Sequence, residues 1–241
     1  MPSYLLSSVL ALGAFGLFGC KQAVEPVPSN APGMELAQLD ALVAECSVCH
    51  GVSEAQRGPI LNGMDGWYLT DQMNKFRSGV RGARPSNRSE YLMGIGARKI
   101  QSDLQVAYLA HWFSSQPAQP AIRTVRGDLE SGKGIYERRC LSCHGQHGQG
   151  NPTLQSPSLT KLEGWYFLEQ MRKFRSGERG YDPRDQAGKV MAAASKEFSD
   201  TDLRDLVAYC IDEFGLEEAK GVEPRWMPKK SSKPVLNQAP N

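Results

Sequence analysis

Most of this 241-residue chain is written twice, and nothing constrains its fold more. Gly66-Trp67-Tyr68 returns as Gly164-Trp165-Tyr166. Gln72-Met73-Asn74-Lys75-Phe76-Arg77-Ser78-Gly79 returns as Gln170-Met171-Arg172-Lys173-Phe174-Arg175-Ser176-Gly177. Arg81-Gly82 returns as Arg179-Gly180, and all these pairs stand 98 positions apart. Ahead of them lie Cys46-Ser47-Val48-Cys49-His50 and Cys140-Leu141-Ser142-Cys143-His144, 94 positions apart (140 minus 46). The second copy therefore carries four extra residues (98 minus 94) around Gln146 to Asn151. Further on, Val106-Ala107-Tyr108 matches Val207-Ala208-Tyr209 at an offset of 101. This is a duplicated domain, not a duplicated motif, and it must fold twice.

C-x-x-C-H is the pattern of c-type haem attachment. Two thiols three positions apart can form thioether bonds to the two vinyl groups of one haem, and the next residue then offers iron an imidazole nitrogen. One copy alone admits a redox dithiol with a bystander histidine. Two copies with matching downstream sequence point to two covalently attached haem c groups. Cys46 and Cys49 would hold one and Cys140 and Cys143 the other, with His50 and His144 as proximal iron ligands.

Composition fits this and excludes little else. Aromatic residues are only 8% of the chain, so small cores need help, and a buried haem supplies apolar surface. A formal charge of +2 does not argue for nucleic acid. Four of six cysteines are in the haem motifs, and Cys20 and Cys210 remain, which is no disulfide framework. Cys210 replaces Leu109 on an apolar helical face and reads as a buried, inert thiol.

Each copy predicts helices. Leu69, Met73 and Phe76 fall at i, i+4 and i+7, as do Phe167, Met171 and Phe174. Ser102-x-x-Gln105 and Ser199-x-x-Asp202 are start signals for a terminal helix in each half. The apolar faces that follow run through Val106, Leu109, Ala110 and Phe113, and through Leu203, Leu206, Val207 and Cys210. Leading helices are expected over Glu35 to Ala44 and Leu129 to Arg138, and no strand pattern of useful length appears. The expected fold class is all-α, with two small helical domains at 35–116 and 127–218 joined by a Pro-containing linker at 117–126. A tail at 219–241 rich in Pro, Lys, Ser and Asn is expected to be disordered.

Residues 1 to 19 carry no charged side chain and end in Leu17-Phe18-Gly19-Cys20, followed by a polar, Pro-rich stretch over 21–34. This reads as a secretory signal with a lipoprotein-type box at 1–20 and Cys20 as the lipid attachment site. Phe18 is bulky for its place and no Lys or Arg marks the start. An uncleaved anchor and an ordinary signal peptide are the alternatives. All three place the mature protein outside the cytoplasm, and the expectation is a periplasmic, lipid-anchored protein.

The sixth iron position decides between electron transfer and chemistry at the metal. Met93 and Met191 lie 98 positions apart, 43 and 47 residues after their haem histidines, in stretches that read as loops. They are the expected distal ligands. Met73 and Met171 match equally well but sit on an apolar helical face beside Phe76 and Phe174, where core packing is the simpler reading. Met64 aligns with Leu162 and so cannot serve both copies, and His111 and His147 have no counterpart histidine. Pro59 and Pro157 also recur; each either turns the chain or offers its carbonyl to the proximal imidazole. Arg77 and Arg175 could pair with haem propionates. Alternatively Lys75, Arg77, Arg81, Arg84, Arg172, Lys173, Arg175 and Arg179 form solvated faces or docking patches for acidic partners.

Haem motif, following proline, Trp-Tyr helix and distal Met in each half resemble class I cytochromes c in tandem, as in dihaem cytochrome c4. The resemblance covers roughly residues 35 to 218. It implies two small helical folds, each wrapped around one haem c, with both haems near the domain interface. It also implies His50 and His144 as proximal ligands and Met93 and Met191 as distal ones.

Two low-spin His/Met haems make an electron carrier, with no substrate bound to iron and no catalytic residue. The expected partners are redox proteins: a quinol-oxidising complex on one side, a terminal oxidase or periplasmic reductase on the other. One alternative is a dihaem enzyme, a peroxidase or a thiosulfate-oxidising protein, which needs an unusual sixth ligand on one haem. The even match between the copies speaks against that. A further alternative is a fixed haem subunit of a membrane oxidase or reductase.

Overall fold

The computed structural model describes residues 36–52, 58–119 and 123–216. The leader with Cys20, the stretch at 21–34 and the tail at 219–241 lie outside the described residues. Among the described residues every regular element is helical, apart from one isolated bridge between Asn151 and Ser156. The first half holds α1 (Leu36–His50), α2 (Gly66–Arg77), α3 (Arg88–Ala97) and α4 (Asp103–Ser115). The second holds α5 (Leu129–Arg139), α6 (Leu141–His144), α7 (Gly164–Ser176), α8 (Gln186–Ser195) and α9 (Asp200–Phe214), with a short 3₁₀ turn over Pro152–Leu154. No described helix is long and apolar enough to cross a membrane.

The predicted helix starts form as the sequence implies. Ser102 accepts from the Gln105 N–H while the Gln105 side chain accepts from the Ser102 N–H, and Ser199 and Asp202 do the same at α9. Each box satisfies two backbone donors that a helix leaves open at its start.

Packing repeats as well. The leading helix lies on the terminal one in each half, α1 on α4 and α5 on α9, and the middle helix packs on the terminal helix, α2 on α4 and α7 on α9. Leu203, Val207 and Cys210 are fully buried along one stripe of α9, next to Leu206 and Tyr136. Val106, Leu109 and Phe113 fill the same role on α4. Cys210 is thus the buried thiol expected, and burial raises its pKa well above the ordinary value. Met171 is buried in the second core and Met73 packs against the first, which agrees with a packing role for both.

Two features differ from expectation. Met93 and Met191 are not in loops: each is the sixth residue of a ten-residue helix, α3 and α8. These helices are short, and Gly94 and Gly96 interrupt the pattern in α3, so periodicity did not show them. Met64, a first-half residue, is buried in the core of the second half with Leu159, Leu162 and Leu168.

Candidate haem sites

Helix α1 runs through the first motif, so Cys46, Cys49 and His50 fall at i, i+3 and i+4 and share one face. In the second half α5 stops at Arg139, and Cys140 both ends it and opens α6. The His144 N–H still donates to the Cys140 carbonyl at 2.9 Å, so one closed turn preserves the same spacing.

The recurring prolines hold the histidines. His50 Nδ1 lies 2.7 Å from the Pro59 carbonyl oxygen and His144 Nδ1 lies 3.0 Å from that of Pro157. With the carbonyl as acceptor, Nδ1 must carry the proton, and Nε2 keeps its lone pair for a metal. Burial lowers the pKa of both imidazoles and keeps them neutral, as ligation requires. The first ring is tightly walled: a Cβ at Gly58 would stand 2.6 Å from His50 Cε1, so only glycine fits there. Burial also pushes the Cys46 thiol up to about 11 and the Cys140 thiol to about 12. Neither is a thiolate at neutral pH, unlike the activated cysteine of a redox dithiol. Two thiols and one neutral imidazole nitrogen per half are the donor set that a haem c needs, so the residues fit the group.

Met93 and Met191 are half-buried, on helices that pack against α2 and α7 respectively. The segments bearing the donors also hold six exposed large apolar side chains: Val48, Val52, Leu92, Ile95, Leu141 and Val190. His111 and His147 are exposed.

The repeated polar stretch does something sequence reasoning missed. Arg81 and Arg179 are buried, not solvated. Arg81 donates to Gln72 in its own half and to Gln170 in the other, each at 2.7 Å. Arg179 mirrors it, donating to Gln170 at 2.8 Å and to Gln72 and the Tyr68 hydroxyl at 3.0 Å. Each guanidinium also lies over a phenylalanine ring of the preceding helix in its own half, Phe76 at 4.5 Å and Phe174 at 4.4 Å. The backbone is mirrored too: the Ile60 N–H donates to Glu163 Oε2 at 2.9 Å and the Ser158 N–H to Asp65 Oδ2 at 3.4 Å. Gly82 and Gly180 have φ near +74° and +75°, and a Cβ there would collide with the carbonyl of residue 90 or 188. The Arg-Gly repeat is therefore a seam motif joining the halves.

Arg77 and Arg175 each tie two helices of their own half together. Arg77 donates to the Ile100 carbonyl at 3.1 Å and to Asp103 at 2.8 Å, which ties α2 to the start of α4. Arg175 donates to the Phe198 carbonyl at 3.1 Å and lies 3.5 Å from Asp200, which ties α7 to α9. The one carboxylate buried with Arg81 is Glu90, at 2.7 Å. The equivalent second-half residue is Gly188, so Arg179 has no such partner. Sequence comparison of the copies contains this asymmetry, but not its burial.

Comparison with known proteins places the chain. The family described as Cytochrome c matches residues 129–210. The chain is 30% identical over 87 residues to cytochrome c-554(547) of Halothiobacillus neapolitanus, covering 93% of that protein and 34% of this chain. It is 29% identical over 166 residues to the thiosulfate dehydrogenase electron acceptor of Stutzerimonas stutzeri, covering 63% of this chain and 73% of that protein. It is also 29% identical over 122 residues to the Cbb3-type cytochrome c oxidase subunit FixP of a Bradyrhizobium strain, covering 48% of this chain and only 41% of that protein. Two solved structures share the fold. Reduced cytochrome c4 from Pseudomonas stutzeri gives a TM-score of 0.58 at 24% identity, covering 76% of this chain and 100% of that one. Cytochrome c4 from Acidithiobacillus ferrooxidans gives 0.56 at 20%, covering 70% and 98%. An all-α fold made of two tandem class I cytochrome c units is the class these observations define. The chain belongs to the cytochrome c family, whose cofactor is haem c and whose work is electron transfer.

Proposed function

We propose that the chain is a dihaem electron carrier of the periplasm, with two covalently attached haem c groups and a His/Met ligand pair at each iron. Cys46, Cys49, His50 and Met93 would serve one haem, and Cys140, Cys143, His144 and Met191 the other. The observation that carries this reading is the equivalence of the two donor sets. Both proximal imidazoles are oriented by a proline carbonyl, and both methionines take the sixth place of the same short helix. An enzyme that divided labour between its haems would need the sets to differ.

Bound haem supplies an iron that takes up and releases one electron; the chain supplies the rest. His50 and His144 are held neutral and aimed by Pro59 and Pro157. The cysteines fix the group covalently. The seam of Arg81, Arg179, Gln72 and Gln170 would keep the two donor sets in a fixed relation to each other.

The partners proposed are respiratory: a donor such as a quinol-oxidising complex or a sulfur-compound dehydrogenase, and an acceptor such as a terminal oxidase or periplasmic reductase. Relatives named as a thiosulfate dehydrogenase electron acceptor and as a Cbb3-type oxidase subunit support both ends of that path. The leader pattern ending at Cys20 supports export and lipid anchoring. The test is optical spectroscopy of the oxidised holoprotein, quantifying the band that reports methionine sulfur on ferric haem. Two equivalents per chain are expected, and one or none overturns the His/Met pair at both irons.

A further inference from the structure

Lys75 and Lys173 hold the same place in the two copies of the repeated helix, 98 positions apart. Each keeps an acid one turn back on its own helix: Lys75 Nζ lies 2.7 Å from Asp71, and Lys173 Nζ lies 2.6 Å from Glu169. Each ammonium then reaches into the other half. Lys75 Nζ stands 2.9 Å from Asp185 Oδ1, a side chain 5% exposed. Asp185 is the N-cap of α8, and the same oxygen accepts from the Gly188 N–H at 2.9 Å. Lys173 Nζ donates to Ser89 Oγ at 2.7 Å and lies 3.9 Å from Glu90 Oε1. Ser89 and Glu90 are in the first turn of α3, and Ser89 Oγ in turn donates to Glu169 at 3.1 Å.

The acceptors are not equivalent residues. The first-half counterpart of Asp185 is Asn87, and the second-half counterpart of Glu90 is Gly188. A single contact copied by duplication would use matching positions. Here the same end is reached twice by different residues: a lysine of one half holds the first turn of the methionine helix of the other.

We infer that Lys75 is a positioning residue for Met191, and Lys173 for Met93, each acting across the seam. The inference rests on these methionines being the distal ligands. Helices of ten residues are marginal by themselves, so their first turns depend on tertiary partners. Removing either charge breaks the ion pair that holds the Asp185 cap against the other half, and the first turn of α8 loosens. Methionine then leaves iron more often, and an outside ligand binds more tightly in proportion to the fraction of time the site is open. Lys75 should matter more, because it holds a cap directly at 2.9 Å, whereas Lys173 holds an exposed serine and a carboxylate at 3.9 Å.

The experiment is titration of the ferric, full-length holoprotein with imidazole, following the loss of the methionine–iron band at each haem. Met93→Ala and Met191→Ala assign the band and test the ligand reading: a variant that leaves it intact overturns that reading, whatever the lysines do. Lys75→Met is expected to tighten imidazole at the second-half haem about tenfold, within the usual range of coupling between sites, with the first-half haem unchanged. Lys173→Met should do the reverse, more weakly. Asp185→Asn keeps a capping side chain but removes the charge. It should match Lys75→Met, and the double variant should go no further. Loosening at the lysine's own haem, equal loosening at both, or no change in Asp185→Asn with its haem content intact would overturn the proposal. Asp185→Asn alone decides the matter should Lys75→Met not retain haem.

Discussion

The two halves share helices, caps, proline-held imidazoles and seam arginines, yet they are not equally built. The second has the larger core, with Tyr136, Leu203, Leu206, Val207 and Cys210 essentially inaccessible, and it also buries Met64 from the first. The first buries a smaller set around Val43, Ile100, Val106, Leu109 and Phe113, and supplies Glu90, the carboxylate paired with Arg81. The first half thus lends an apolar residue to its neighbour and keeps the charged pair. The seam keeps the arginines and glutamines of both copies, but holds Glu90 in the first where the second has Gly188.

The largest effect expected from breaking this asymmetry is at Arg81. Arg81→Met leaves Glu90 buried with only the more distant Lys173, at 3.9 Å, as an ion-pair partner and should cost about 3–5 kcal/mol in chemical denaturation. Arg179→Met removes a guanidinium whose partners are neutral and should cost clearly less; equal losses would mean the two arginines are not distinct. Met64→Ala comes next. It opens a cavity in the other half's core and is expected to cost about 2–5 kcal/mol, with faster amide exchange in α7 and α9 than in α4.

A pH titration sharpens the same contrast. Burial pushes the Glu90 pKa up, but Arg81, helped by Arg179 and Lys173, outweighs it and holds the carboxyl below its ordinary 4.5. A depressed folded value stabilises the protein above the ordinary pKa, and the contribution fades as pH falls below 4.5 through the folded value. Glu90→Gln should flatten that acid limb of the stability curve in acid denaturation. The smallest effects belong to the caps: Ser102→Ala and Ser199→Ala should each cost about 1 kcal/mol, and nearly equally, since the boxes are alike.

The candidate haem-binding residues were legible because their chemistry is local. Two thiols and a histidine must be adjacent in the chain to meet one haem, and a proline nine or thirteen residues on reaches the ring it faces. The six predicted helices and both capping boxes were likewise readable, since periodicity and caps are properties of a dozen residues. Helices α3 and α8 were not, because ten residues with glycines carry too little pattern.

By itself the sequence determined that the chain is a duplicated helical domain and where each copy would attach haem; which imidazole nitrogen stays free was decided by the proline carbonyls that the fold brings to Nδ1. Only the tertiary structure decided what the repeated Lys, Arg, Gln and Tyr residues are for. Polar side chains on a helix read as solvated when one copy is considered, since water is the partner available to it. When α2 and α7 meet, Gln72, Arg81, Gln170 and Arg179 complete one another's hydrogen bonds across the seam. Their burial is a property of the pair of domains, set by contacts between residues about a hundred positions apart in the chain.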